Sequence, residues 1–183
     1  MKKFTLTTLL FIMLLANAFA QKYYSKTTKA YFKNNPTVGT IEATNKATTL
    51  VIDSKTGAVA VSILIKGFTF EKALMQQHFN ETYLESDKFP KAEFKGTIAN
   101  NDNVKYTTDG TYSVKITGKL TIHGVTKDMA TPATIAVKAG AVTATTEFNV
   151  SVEDYNIAIP AAVKNSVGKN VKIIITTDKL MVK

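Results

Sequence analysis

Residues 68–96 read FTFEKALMQQHFNETYLESDKFPKAEFKG, and the reading of this stretch decides how the remainder is read. It is the one convincing helical segment beyond the N-terminal residues. Side chains pair one turn apart, Leu74 with His78 and Met75 with Phe79 and Tyr83, a spacing that stacks them on one face of a helix. Lys72, Gln76, Asn80 and Glu81 take the other side. Asn80 is expected to divide the segment into two short helices. Ser86-Asp87 offers a turn, and Pro90 stops any helix at or before Phe89. An apolar helical insert between strands has to cover something apolar. It either plugs one end of a β-barrel or forms the mouth of a ligand cavity, and the residues alone leave both readings open.

Outward from this stretch, apolar and polar residues alternate with a period of two, the pattern of half-buried strands. A first strand spans 22–33, with Tyr23, Tyr24, Tyr31 and Phe32, and a turn follows at 34–36. A long strand covers 38–53, with an irregularity near Asn45-Lys46, and 54–57 is a hairpin turn. Residues 58–65 are apolar throughout apart from Ser62, which predicts a strand covered on both faces. Gly67 marks a bulge before Phe68 and Phe70. Beyond the helical insert, Ala92, Phe94, Gly96 and Ile98 share one face. The strands 112–123, 126–138 and 142–153 alternate in the same way, residues 154–169 are irregular, and a last strand covers about 170–182. About eight strands joined by short turns pair antiparallel, and long strands with one apolar face curl and close. A sandwich is the alternative. Small residues on the inward faces, Ala92, Gly96, Gly118, Ala133 and Ala144, favour an unfilled interior, unless they face bulky partners such as Phe94 and Phe148.

The chain has 183 residues, no Cys and no Trp. That length suits one domain with a real core. Without Cys there is no disulfide, thiolate metal site or cysteine nucleophile. Residues 1–20, MKKFTLTTLLFIMLLANAFA, read as a signal peptide: Lys2 and Lys3 form the basic region, 9–15 the apolar heart, and Ala18-Phe19-Ala20 the cleavage site. The apolar run is short for a membrane span. The domain is then 21–183, periplasmic or secreted. The net charge is +9, of which Lys2 and Lys3 supply two, leaving +7 on the cleaved chain. The lysines are scattered, so a nucleic-acid partner is not supported. An outer-membrane barrel would carry aromatic girdles at both interfaces, and here Trp is absent and a helix interrupts the strands.

Catalytic chemistry is not visible. His78 and His123 are the two histidines, and neither stands at metal-ligand spacing. There is no phosphate loop and no nucleophile elbow. Glu81, Glu85 and Asp87 read as solvated carboxylates. These absences describe a binding protein, not an enzyme, with no catalytic residue, no metal and no cofactor. His78 either satisfies a single hydrogen bond at a half-buried site or aims a donor at a ligand head group.

Three motifs, LMQQHFNETYLESDKFPKAEFKG at 74–96, GKLTIHGVTK at 118–127 and DYNIAIP at 154–160, together resemble the YceI-like family over residues 22–182. It looks like the exported form common in Bacteroidetes-type bacteria. The resemblance implies an all-β fold, an eight-stranded antiparallel lipocalin-like β-barrel with a short helical insert capping one end. It implies an apolar tunnel that binds and carries a long-chain lipid, a polyisoprenoid or related amphiphile. On that analogy Leu74, Met75, His78, Phe79 and Tyr83 stand at the mouth, and Phe94 and Ile116 on the wall. Phe68, Phe70 and Ala144 complete the ligand-binding candidates. Lys72 and Lys127 are candidates for a polar head. The alternative is a stress-related or surface-interaction scaffold without bound lipid. The oligomeric state stays open, a homodimer included.

Overall fold

The computed structural model describes residues 21–34, 39–163 and 167–183. The leader read at 1–20 and most of the turn read at 34–36 lie outside them. Ten strands run through the described residues: β1 (Lys22–Asn34), β2 (Ile41–Asp53), β3 (Ala58–Leu64), β4 (Phe68–Phe70), β5 (Lys91–Ile98), β6 (Gly110–Ile122), β7 (Val125–Lys138), β8 (Ala141–Ser151), β9 (Asn170–Thr176) and β10 (Met181–Val182). The helix α1 (Ala73–His78) passes into a π turn at Phe79–Tyr83.

All pairings are antiparallel, in the order β1-β9-β8-β7-β6-β5-β3-β2, and β2 returns to β1. That closure removes the free sheet edges of an open sheet. β4 and β10 add no stave. β4 pairs with β2 at Ala43–Asn45, beyond the part of β2 held by β3, and β10 pairs with β1 at Tyr23–Tyr24, beyond the part held by β9. Each continues an interrupted strand, and the barrel has eight staves. No described helix is long and apolar enough to cross a membrane.

The alternation read from sequence is the inside–outside alternation of this barrel. Phe32, Leu50, Ile52, Val59, Val61, Phe94, Val114, Leu120, Ile135, Val137, Val150 and Ile175 are buried within it. The expected irregularity in β2 is a register shift opposite β1, where pairing steps from Ala30–Asn45 to Thr28–Thr48. Asn45 fills the step: its amide donates to the Leu64 carbonyl at 2.6 Å and its oxygen accepts the Ala47 N–H at 2.7 Å. The ladder between β7 and β8 covers only Ala133–Lys138 of β7. It stops at Pro132, which has no N–H to offer, and Thr146 Oγ1 donates to the Pro132 carbonyl instead.

Three expectations are corrected. β3 is not covered on both faces: Val59 and Val61 are buried, but Ala58 and Ala60 are exposed and Leu64 is 44% exposed. Its outer face tolerates water because it is built largely from alanine. The segment 73–83 is one short helix running into a π turn, not two helices divided at Asn80. Gly96 and Gly118 do not leave inward space open. They are cross-strand partners, and a Cβ on Gly96 would come within 2.2 Å of the Thr117 carbonyl and 2.6 Å of the Phe94 ring. The missing side chains let two backbones approach, and the Phe94 ring folds over the gap.

The end remote from α1 is closed by residues 99–109. Val104, Tyr106 and Leu180 are buried there. Tyr106 stacks on Tyr23 at 5.2 Å, and its hydroxyl donates to Asn101 Oδ1 at 2.8 Å. Burial raises the Tyr106 hydroxyl well above the ordinary tyrosine range, with smaller contributions from Tyr23 and Asp53.

Candidate functional site

The cap over the open end cannot stand by itself, since isolated helices of this length are unstable in water. Aromatic packing seats it. The Phe79 ring lies 5.7 Å from Phe32, 5.4 Å from Phe68 and 4.9 Å from Phe70, and Phe32 also meets Phe68 and Phe70 edge-on. The Phe70 N–H donates to Gln76 Oε1 at 3.3 Å, fastening α1 to β4. After His78 the winding widens: the Leu84 N–H donates to the Phe79 carbonyl at 2.9 Å, five residues back. A π turn of this kind shifts which residues face inward. Leu84 is buried, while Leu74 is 62% exposed. The inward face of the cap is therefore Met75, Phe79, Tyr83 and Leu84.

Two apolar spaces lie in tandem between this cap and the closed end. The upper one measures about 280 Å³ and is walled by the cap, the inner faces of β1 and β9, and Ile157, Ile159 and Val163. The lower one measures about 60 Å³. Ile63, Ala92, Leu120 and Phe148 belong to both walls. Phe68, Phe70, Met75, His78, Phe79 and Tyr83 line the upper space. Phe94, Ile116 and Ala144 line the lower one. Leu74 lines neither: it lies on the exposed outer side of α1, 62% open to solvent.

Among the described residues, the upper wall carries polar side chains only at Asn34, His78 and Tyr83. His78 is exposed and reaches this wall from the outer side of α1. Lys72 and Lys127 are not on it, and Lys127 is paired with Asp154 at 2.8 Å. A chamber so lined selects ligands by shape and by apolar burial at about 25 cal/mol per Å². No group of three His, Asp or Glu side chains gathers into a metal cluster among the described residues.

Two polar clamps hold the rim. Asn34 is buried at the end of β1, where its amide donates to the Gly168 and Asn170 carbonyls (2.6 and 3.2 Å) and its oxygen accepts the Gly168 N–H at 2.7 Å. His123 occupies the two-residue β6–β7 turn with Gly124, both at positive φ (50° and 76°), as a type I′ hairpin requires. Its Nδ1–H donates to the Tyr155 carbonyl at 3.2 Å, and Nε2 lies 2.7 Å from the Glu85 carboxylate. Phe89 packs edge-on against the imidazole at 4.6 Å. One ring thus joins the cap, the β6–β7 turn and the turn at Glu153–Tyr155. The sequence pattern places Asn34 in a turn and His123 at the end of a strand. Asn34 carried a usable signal: it falls on the inward register of Phe32, and a buried amide there must find partners. The partners of His123 are 38 and 32 residues away, beyond local pattern.

The YceI-like domain family matches residues 20–178. The fold is similar to that of Burkholderia cenocepacia BcnA, at 19% identity over 85% of this chain and 96% of that one, with a TM-score of 0.67. A polyisoprenoid-binding domain from Saccharophagus degradans implicated in plant cell wall breakdown is similar at 11% identity over 90% and 98% of the two chains, TM-score 0.72. The Campylobacter jejuni YceI protein is similar at 18% identity over 80% and 86%, TM-score 0.55. No curated protein matches the sequence.

Proposed function

The chain belongs to the YceI-like family, and from that premise we propose that it binds and carries an apolar lipid, a prenyl chain or related amphiphile, outside the cytoplasm. One observation carries the reading: an apolar chamber of about 280 Å³ under an aromatic cap, with its polar side chains at the rim. A hydrocarbon has no hydrogen-bonding capacity, so such a chamber satisfies it by burial alone. The polyisoprenoid-binding domain that shares this fold supports the ligand class. The leader read at 1–20, with Gln21 as the first residue after cleavage, supports export. The protein acts as a carrier and not as a catalyst.

The test is to express the full chain with its leader, purify the exported product and analyse an organic extract by mass spectrometry. A co-purifying prenyl or other apolar lipid near one per protein is the expected result. A product that yields no lipid and takes up none from added prenols overturns the proposal.

A further inference from the structure

The two interior spaces meet at a waist. On one side stand Ile63 and Ala92, cross-strand partners on β3 and β5, with Leu120 of β6 beside them. On the other stands Phe148 of β8. In the ring of eight staves, β8 is four places from β3 and three from β5, so Phe148 lines both spaces from the side of the bore facing Ile63 and Ala92. The large side chain at the waist faces alanine and two aliphatic residues. It is packed against the core but only partly buried, because free space lies both above and below it.

Volume makes this waist consequential. An apolar cavity of about 150 Å³ takes up benzene, six carbons. On that scale the upper space of about 280 Å³ holds about eleven carbons. The lower space of about 60 Å³ holds about two more. A long prenyl chain therefore has no room unless the waist opens. Resting on the lipid-binding reading of the same cavity, we infer that Phe148 sets ligand length. The resting barrel takes an apolar chain of the two-isoprene class whose tail ends against the Phe148 ring. Longer chains are held only when that ring is turned aside or removed. Phe148 is not β-branched, so its χ1 has more than one accessible well in a strand.

The test uses geraniol, farnesol and geranylgeraniol, of two, three and four isoprene units, with the delipidated full-length domain. Retained prenol is counted by mass spectrometry after gel filtration, and affinity is followed by competition against geraniol. For the wild-type protein, affinity is expected to level off after geraniol. For Phe148→Ala it is expected to keep rising, so that the preference for geranylgeraniol over geraniol increases by at least about tenfold. Phe148→Leu, which leaves a smaller gap, should fall between the two and serves as the readout if the alanine variant does not fold. A wild-type protein that already prefers the longest prenol, or variants with an unchanged length profile, overturns the inference while leaving lipid binding intact. A wild-type protein that holds none of the three overturns the lipid reading and this inference together.

Discussion

His78 stands on α1 with its ring exposed and one edge on the wall of the upper chamber. An exposed side chain of this kind contributes little to folding, and surface substitutions mostly fall within about 0.5 kcal/mol. A ligand hydroxyl at the rim would gain one hydrogen bond from it, worth about 0.5–1.5 kcal/mol. His78→Ala is therefore expected to melt with the wild-type protein while retaining lipid roughly 3–10-fold less tightly. Melts and lipid counts on the same samples check this; a lowered melting temperature with unchanged lipid would make His78 a structural residue. Single residues were unevenly legible. Met75, Phe79 and Tyr83, stacked on one face by helical spacing, line the upper chamber, whereas Leu74 does not, because a spacing of four aligns it with His78 without saying how far that edge of α1 turns towards solvent. Gly96 looked like inward space because a sequence shows the missing side chain and not the Phe94 ring that covers it.

At the scale of elements, the long strands were legible because period-two alternation is a local consequence of burying one face. β4 and β10, of three and two residues, are too short to alternate and exist only through pairing to β2 and β1. The plug at 99–109 has no period at all. Its role depends on Tyr106 reaching Tyr23. That contact has a pH signature. Burial raises the Tyr106 hydroxyl above its unfolded value, so its contribution is fully present below the ordinary tyrosine pKa of about 10 and is lost as pH rises beyond it. Denaturant melts should show stability falling above about pH 10, less steeply in Tyr106→Phe, which has no proton to lose there. Equal slopes would mean that the plug opens before it titrates. The cap makes the opposite case, a helix held by tertiary contact alone. Phe79→Ala removes the ring that touches Phe32, Phe68 and Phe70. Since Phe79 is only half-buried, the expected cost is about 2–3 kcal/mol, below the ~3–5 of a fully buried phenylalanine. Limited proteolysis should then cut within 73–83 before the barrel melts; cleavage no faster than wild type would show that the cap is seated by other contacts.

For the whole molecule, closure was legible from the number and length of strands, but how full the barrel is was not, because occupancy depends on which side chains meet across the bore. Ala144 decides that question experimentally. It lines the lower space and not the upper one, and both its backbone groups are engaged, the N–H with Thr177 Oγ1 at 2.8 Å and the carbonyl with the Thr177 N–H at 3.0 Å. A space of about 60 Å³ has room for about two carbons. Ala144→Val adds two carbons and a β-branched side chain suited to a strand, at about 0.8 kcal/mol per methylene buried. Part of that gain is lost to imperfect fit, so the expected result is a stabilisation of up to about 1 kcal/mol. Ala144→Trp adds an indole far larger than the space, and overpacking of that kind costs ~1–3 kcal/mol or more. The two variants should therefore move denaturant midpoints in opposite directions. Binding gives the second readout: with Phe148 in place, Ala144→Val should leave uptake of a two-isoprene chain unchanged, since the ligand ends above the waist. If instead Ala144→Trp folds at wild-type stability and excludes lipid, the bore is one continuous tunnel past Ala144. If Ala144→Val is itself destabilised, the lower space is already filled.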